Sequence, residues 1–299
     1  MLNSLNPTLE NTVPGWAFAY AGATVFFYVT MDAIDGMQAR RTKSSSPLGQ
    51  LFDHGCDCAI TTVFSLMMMN ALEVGPSWKS LAIVTSVQVA FFLSQWEEKY
   101  TGICRTSVGG LFGVTESQLM LIVQMFVSAV NPQIGSMVVY ESYVLRDAWF
   151  LFYVGFMVLA SIFCVAGVVI KHPSSFVELG SILSLNGAVL VWSVYLGIDK
   201  SEFLLVILAL AFCNSFSTIR VILSGISHTG FPLYHPVAFP YYAIIAARFV
   251  FGGGPWVALS MTVYLGGLLD HILKALIKVT NEIAAFLGIY VFSITSKRA

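Results

Sequence analysis

Long apolar stretches separated by short polar breaks run along the chain from Trp16 towards the C-terminus. The first covers Trp16 to about Met31, and others follow at about 56–75, 80–97, 116–131, 148–170, 178–196, 202–223, 237–251 and 255–273. A helix needs about 20 apolar residues to cross a bilayer, so the pattern predicts an all-α polytopic membrane protein with about nine transmembrane helices. The stretches 116–131 and 237–251 are short, which suits a tilted or partly interfacial helix. The stretch NEIAAFLGIYVFSI is too short and too close to Lys278 to span, and predicts an amphipathic helix on the cytoplasmic face. Gly252 to Gly254 predicts a turn between helices, whereas Gly266 and Gly267, inside a helix, predict close helix packing. With no internal repeat or low-complexity tract, residues 1–299 read as a single membrane domain.

Composition agrees with the pattern. The chain is 57% hydrophobic and only 10% charged, where soluble domains carry about a quarter, so a soluble globule with a polar surface is excluded. A net charge of -1 with no basic run leaves nothing to attract nucleic acid. No basic region precedes an apolar core at the start of the sequence, so no secretory leader is expected. Cys56 and Cys58 are too close for a usual zinc pair and read as small apolar residues. Positive charge sets orientation. Threading from a lumenal start leaves only Lys79, Arg146, Lys200 and Arg248, of 15 Lys and Arg, on the lumenal side. The positive-inside rule therefore places Arg40, Arg41, Lys43, Lys99 and Arg105 at the cytoplasmic face.

One break carries the candidate chemistry. Asp32 to Asp57 reads DAIDGMQARRTKSSSPLGQLFDHGCD. Asp32 and Asp35 lie three apart, and Asp53 and Asp57 four apart, so each pair projects from one face if its segment is helical. Two such faces opposed form an all-oxygen cage suited to one or two hard cations such as Mg²⁺. Gly36 and Gly49 let backbone and ligand approach closely, and Ala39 keeps the Asp35 face flat. Arg40 offers a planar fork for phosphate oxygens, while Arg41 and Lys43 either orient the loop or touch anionic lipid. His54 has an unperturbed pKa of about 6.5, suited to proton transfer at neutral pH, with Asp57 as the competing base. Further along, Trp96 and Tyr100 fit an interfacial aromatic belt, or with Glu97 and Glu98 a site for a quaternary ammonium. Glu116 suits a helix start after Thr115. His172, His228, His235 and His271 lack ligand spacing with one another.

By spacing, the break is D-x-x-D-G-x-x-A-R, eight residues, then G-x-x-x-D-x-x-x-D. It resembles the signature of the CDP-alcohol phosphotransferases at every specified position. SPLGQLFDHGCD, WEEKYTG at 96–102, VTESQ at 114–118 and NEIAAFLGIYVFSI resemble the landmarks of the eukaryotic choline/ethanolamine phosphotransferase branch. The resemblance covers nearly the whole chain. It implies transfer of phosphocholine or phosphoethanolamine from CDP-choline or CDP-ethanolamine to diacylglycerol, with release of CMP, in the endoplasmic reticulum or Golgi membrane. It implies two ions, Mg²⁺ or Mn²⁺, held by Asp32, Asp35, Asp53 and Asp57, with Asp57 bridging both. It implies that His54 and Glu116 act as a catalytic dyad, and that Gly36, Ala39, Arg40 and Gly49 line the nucleotide. The family carries a further membrane helix ahead of the one bearing the first aspartates; this sequence begins after it, so nine of a usual ten helices are expected.

Two other classes compete with this expectation. One keeps the signature but takes a CDP-linked lipid as donor, against which SPLGQLFDHGCD argues. The other is a catalytically inactive homologue or a transporter; a transporter would show charged or broken helices near mid-membrane in paired repeats, whereas here the acids crowd at one boundary. A homodimer is a further expectation, with no residue that marks its interface.

Overall fold

The computed structural model describes residues 1–6, 9, 13–108, 112–195, 200–231 and 236–291. A short helix, α1 (Leu2–Leu5), precedes nine longer ones. These are α2 (Gly15–Thr42), α3 (Pro47–Leu72), α4 (Trp78–Thr101), α5 (Val114–Val130), α6 (Leu145–Val169), α7 (Gly180–Tyr195), α8 (Lys200–Ser227), α9 (Phe239–Phe251) and α10 (Pro255–Leu287). Each predicted apolar stretch has become one helix. Six helical segments are long and apolar enough to cross a membrane, and Val114–Val130 and Pro236–Phe251 are shorter apolar helices. The chain is an all-α polytopic membrane protein. Two small antiparallel strand pairs, Ser107–Val108 with Phe112–Gly113 and Val138–Tyr140 with Tyr143–Val144, tie down the loops before α5 and α6.

The bundle has its polar groups inside and its apolar surface outside, as lipid requires. α6 has a mean hydropathy of 2.4 over its most apolar window, yet only 11% of that window is buried against protein. Leu151, Leu159, Ile162 and Phe163 point outward and meet lipid instead. α8 is the opposite case, with 78% of its window buried. It packs on α3, α4 and α10 and carries a buried polar chain through the core. Gln88 Nε2 donates to Thr62 Oγ1 at 2.6 Å, Asn214 Nδ2 donates to Gln88 Oε1 at 2.6 Å, and Asn186 and Asn214 exchange amide hydrogen bonds at 3.0 Å. These bonds join α3, α4, α7 and α8 where no water competes. α4 is the hub, touching α3, α6, α7 and α8. Its buried Gln88, Gln95 and Glu97 lower its hydropathy, because its neighbours are protein on most sides.

Alternate breaks gather at opposite ends of the bundle. Lys79 pairs with Asp147 at 2.7 Å and Arg248 with Glu202 at 3.8 Å at one end. Lys99 with Glu178, Arg105 with Glu97 and Gln50 with Glu98 lie at the other. Two expectations need correction. The NEIAAFL residues continue α10 without a break, giving 33 residues, on the order of 50 Å of helix at about 1.5 Å per residue. Nothing in the turn preferences there stops the helix before Gly288, which takes the left-handed φ of 63°. A Cβ added at Gly266 or Gly267 would meet nothing within 4 Å, so neither permits close packing. Gly22 does: a Cβ there would sit 3.1 Å from Met125 Cβ and 3.3 Å from the Phe126 ring, where α2 and α5 pack. Gly252 and Gly254, with φ of 76° and 158°, form the predicted turn between α9 and α10.

Candidate active site

α2 does not stop at its first aspartates. It runs on to Thr42, so Asp32, Asp35, Gly36, Ala39 and Arg40 all project from regular helix. Lys43 then takes a left-handed conformation at φ 55°, and the Ser44 N–H closes the helix end on the Ala39 carbonyl at 3.0 Å. Ser46 starts α3: its Oγ accepts the Gly49 N–H at 3.1 Å, and Pro47 occupies the first turn, where its missing N–H is no loss. The turn between the helices is therefore only Lys43 to Ser46, and it returns α3 alongside α2.

That return brings three carboxylates together. One ligand oxygen each from Asp32, Asp35 and Asp53 lies within 4.8 Å of the other two. None of the three is paired with Lys or Arg among the described residues. Three carboxylates without a basic partner are the donor set of a hard divalent cation, and the residues fit one. Asp57 stands apart from this group. Lying one helical turn beyond Asp53, it accepts a hydrogen bond from the Tyr28 hydroxyl at 2.6 Å. Tyr28 itself lies one turn before Asp32 on the same face of α2, a spacing that could have flagged it.

A groove of about 830 Å³ opens along the cluster. Its lining includes Asp32, Asp35, Gly36, Ala39, Arg40, Gly49, Gln50, Asp53 and Cys56. Cys56 is thus exposed to the groove rather than packed in the core, and Cys58 alone of the two is buried. A Cβ added at Gly36 would meet only the Arg40 guanidinium, at 3.4 Å, and one at Gly49 only Ser46 Oγ, at 3.5 Å. No packing inside the protein demands glycine at either place; the open space belongs to the groove. A second cavity, of about 150 Å³, lies deeper between α3, α4, α5 and α6 and is lined mainly by apolar side chains such as Phe64, Phe91, Leu121 and Phe156. Tyr28 lines both spaces, and Asp57 faces the second.

His54 and Glu116 are not brought together. His54 Nδ1 lies 2.7 Å from Gln95 Oε1 and 3.7 Å from Glu98 Oε2, and Glu98 in turn accepts from Gln50 Nε2 at 2.9 Å. Gln95 Nε2 faces Cys104 Sγ at 3.5 Å, which orients the amide and makes its oxygen the acceptor of the His54 Nδ1 proton. Glu116 Oε2 accepts the Gly113 N–H at 2.8 Å, capping the first turn of its own helix. This is the helix-start arrangement, in which the carboxylate satisfies an N–H at the open N-terminus of its own helix. Gln95 was not visible as a partner in the sequence, since α4 meets α3 only in the folded chain.

Neither reading of Trp96 holds. The side chain is fully buried and donates from Nε1 to Glu178 at 3.1 Å. Lys99 Nζ pairs with Glu178 at 2.7 Å and lies 5.0 Å from the Tyr100 ring centroid, so the cationic slot beside these aromatics is filled from within. Glu97 is buried and grips Arg105. Arg41 and Lys43 are exposed and form no ion pair among the described residues. His172 packs at a tilt against Tyr100 and His271 edge-on against Phe216, His228 follows the end of α8, and His235 lies outside the described residues.

Comparison with known proteins agrees with this geometry. A protein of Dictyostelium discoideum described as an uncharacterized CDP-alcohol phosphatidyltransferase class-I family protein is 41% identical over 42% of this chain and 31% of its own length. Cholinephosphotransferase 1 of Danio rerio is 40% identical over 42% of this chain and 32% of its own length. Cholinephosphotransferase 1 of Gallus gallus is 40% identical over 41% of this chain and 36% of its own length. The matched segment spans about a third of the length of these relatives. The family description "CDP-alcohol phosphatidyltransferase" fits residues 9–264, most of the chain and all of the aspartate groove, and the chain belongs to that family.

Proposed function

We propose that this chain transfers phosphocholine or phosphoethanolamine from CDP-choline or CDP-ethanolamine to diacylglycerol, making phosphatidylcholine or phosphatidylethanolamine and CMP. The observation that carries the reading is the meeting of two unlike spaces at Tyr28 and Asp57: a polar, carboxylate-lined groove and an apolar cavity. A water-soluble nucleotide donor suits the first and a lipid acceptor the second. Relatives named cholinephosphotransferase 1 support the choice of amino alcohol.

In this reading the nucleotide diphosphate lies along the groove, with Arg40 donating to phosphate oxygens and Gly36, Ala39 and Gly49 leaving room for it. Asp32, Asp35 and Asp53, with Asp57 one turn beyond Asp53, would hold divalent metal, Mg²⁺ or Mn²⁺. Bound there, two such ions would neutralise the diphosphate and the departing CMP oxygen. The acceptor hydroxyl attacks the phosphorus next to the amino alcohol; the new P–O bond forms as the bond to CMP breaks, and the hydroxyl proton leaves to a base. His54 is the base of this reading. Its Nδ1 proton is held by Gln95, which leaves Nε2 with the free lone pair, whereas Asp57 already accepts from Tyr28 and adjoins the metal ligands. The membrane is that of the endoplasmic reticulum or Golgi, with the groove facing the cytoplasm.

The test is an assay of the purified chain with Mg²⁺, diacylglycerol and each CDP-amino alcohol in turn, beside CDP-diacylglycerol with a soluble alcohol. Product from either amino-alcohol donor, abolished by EDTA, is expected. Product only with the CDP-linked lipid would replace this reading by the other donor class, and none with any donor would mark an inactive chain.

A further inference from the structure

The apolar cavity beside Asp57 contains one cationic side chain, Arg105. Its setting is unusual for a guanidinium. Nε donates to Glu97 Oε2 at 2.8 Å and Nη2 to Glu97 Oε1 at 2.7 Å, and Glu97 is only 2% exposed. The two side chains are thus locked as a fork on a carboxylate. α6 closes on the pair from behind: a Cβ added at Gly167 would lie 2.8 Å from Glu97 Oε1 and 3.5 Å from Arg105 Nη2. Nη1 takes no part in the pair and has no protein acceptor among the described residues.

Two properties follow. Glu97 cancels the charge of Arg105, so the pair has little long-range pull on an anionic nucleotide. Arg105, 34% exposed, still offers N–H donors at the edge of a space whose other walls are largely carbon, where an unpaired oxygen of a ligand would be costly to bury. The complement of such a donor is a neutral lipid with buried carbonyl oxygens. Thr106, Ser107, Ser117 and Gln118 line the same cavity and add weaker polar contacts.

We propose that Arg105, held by Glu97, is the acceptor-binding residue: its free Nη1 donates to an ester carbonyl of diacylglycerol and so fixes the glycerol hydroxyl near Asp57. The inference rests on the lipid-acceptor reading of the cavity given above. Arg105 would then distinguish diacylglycerols from glycerol diethers, which have the same chains and hydroxyl but no carbonyl.

Direct binding separates this inference from the catalytic one. Labelled dioleoylglycerol and its dioleyl diether are titrated into the detergent-purified chain, and CDP-choline binding is measured in parallel. The wild type should bind the diester more tightly than the diether. In Arg105→Gln combined with Glu97→Gln, which leaves no buried charge unpaired, diester affinity should fall about tenfold, the scale of one charge-assisted hydrogen bond, and the preference should collapse. Arg105→Lys supplies a second variant: its ammonium keeps the ion pair with Glu97 but lacks the second arm of the fork, so the same collapse is expected with the fold undisturbed. CDP-choline affinity should be unchanged in both. An undiminished ester preference in Arg105→Lys, no ester preference in the wild type, or a loss of CDP-choline affinity would overturn the proposal. Ester-selective binding in a chain that makes no product would leave it standing and remove the catalytic reading instead.

Discussion

Asp53 faces Asp32 and Asp35 across the gap between two helices, and its charge is stabilising only when a cation is shared among the three. Asp53→Asn removes one donor and one repulsive charge together. Transfer activity should fall by about 100-fold or more, while the rise in thermal midpoint that Mg²⁺ gives the wild type should vanish. A variant that kept its Mg²⁺ response would place the metal elsewhere. For proton transfer the contacts of His54 and Glu116 predict unequal losses. His54→Ala should lower kcat by about 100-fold with CDP-choline affinity kept, the usual scale of a lost general base. Glu116→Gln retains an oxygen that can accept the Gly113 N–H, so it should stay within about threefold of wild type. Equal, severe losses in single-turnover measurements, with a double variant no worse than either, would show that the two act as one unit during turnover.

At the level of elements, the groove depends on how α2 ends and α3 begins. Four residues reverse the chain, and Ser46 both caps α3 and lines the groove. Ser46→Ala should cost about 1 kcal/mol, read as a thermal midpoint lower by a few degrees, because Gly49 loses its acceptor at a helix start. The spacing of the aspartates assumed two helices, and both formed. The ends of those helices were less legible: an apolar window stops at the first charge, but a helix stops where its backbone can be capped. α2 therefore continues through Asp32 to Thr42, and α10 continues through Lys274, Lys278 and Glu282 to Leu287. Along α10, Lys274 pairs with Asp270 at 2.7 Å, an exposed one-turn pair typical of a helix that has left the hydrocarbon.

Across the whole molecule, the ion pairs sort the loops into two sets at opposite ends, and the aspartate groove belongs to the set that includes Arg105 and Lys171. A cysteine replacing Ser45 in a background without the five native cysteines should react with an impermeant reagent from the cytoplasmic side only. One replacing Glu141, in the loop before α6, should react only from the opposite side. Ser45 labelled from the lumen would reverse the orientation while leaving the bundle intact.

Hydrophobic pattern by itself determined the membrane class and where the nine longer helices lie; which of them are long and apolar enough to span, six among the described residues, was decided by where each helix begins and ends. Aspartate spacing determined the cluster, because helical geometry is local and Asp32, Asp35 and Asp53 lie on two helices joined by one short turn. Only the tertiary structure decided which groups from distant segments meet it. It placed Asp57 against Tyr28, His54 against Gln95, Trp96 against Glu178 and Arg105 against Glu97 at the cavity. Each of those choices is a competition for a hydrogen-bond partner inside a bundle without water. Its winner is the nearest satisfied pair after α4 has packed among α3, α6, α7 and α8, a juxtaposition that no spacing along the chain encodes.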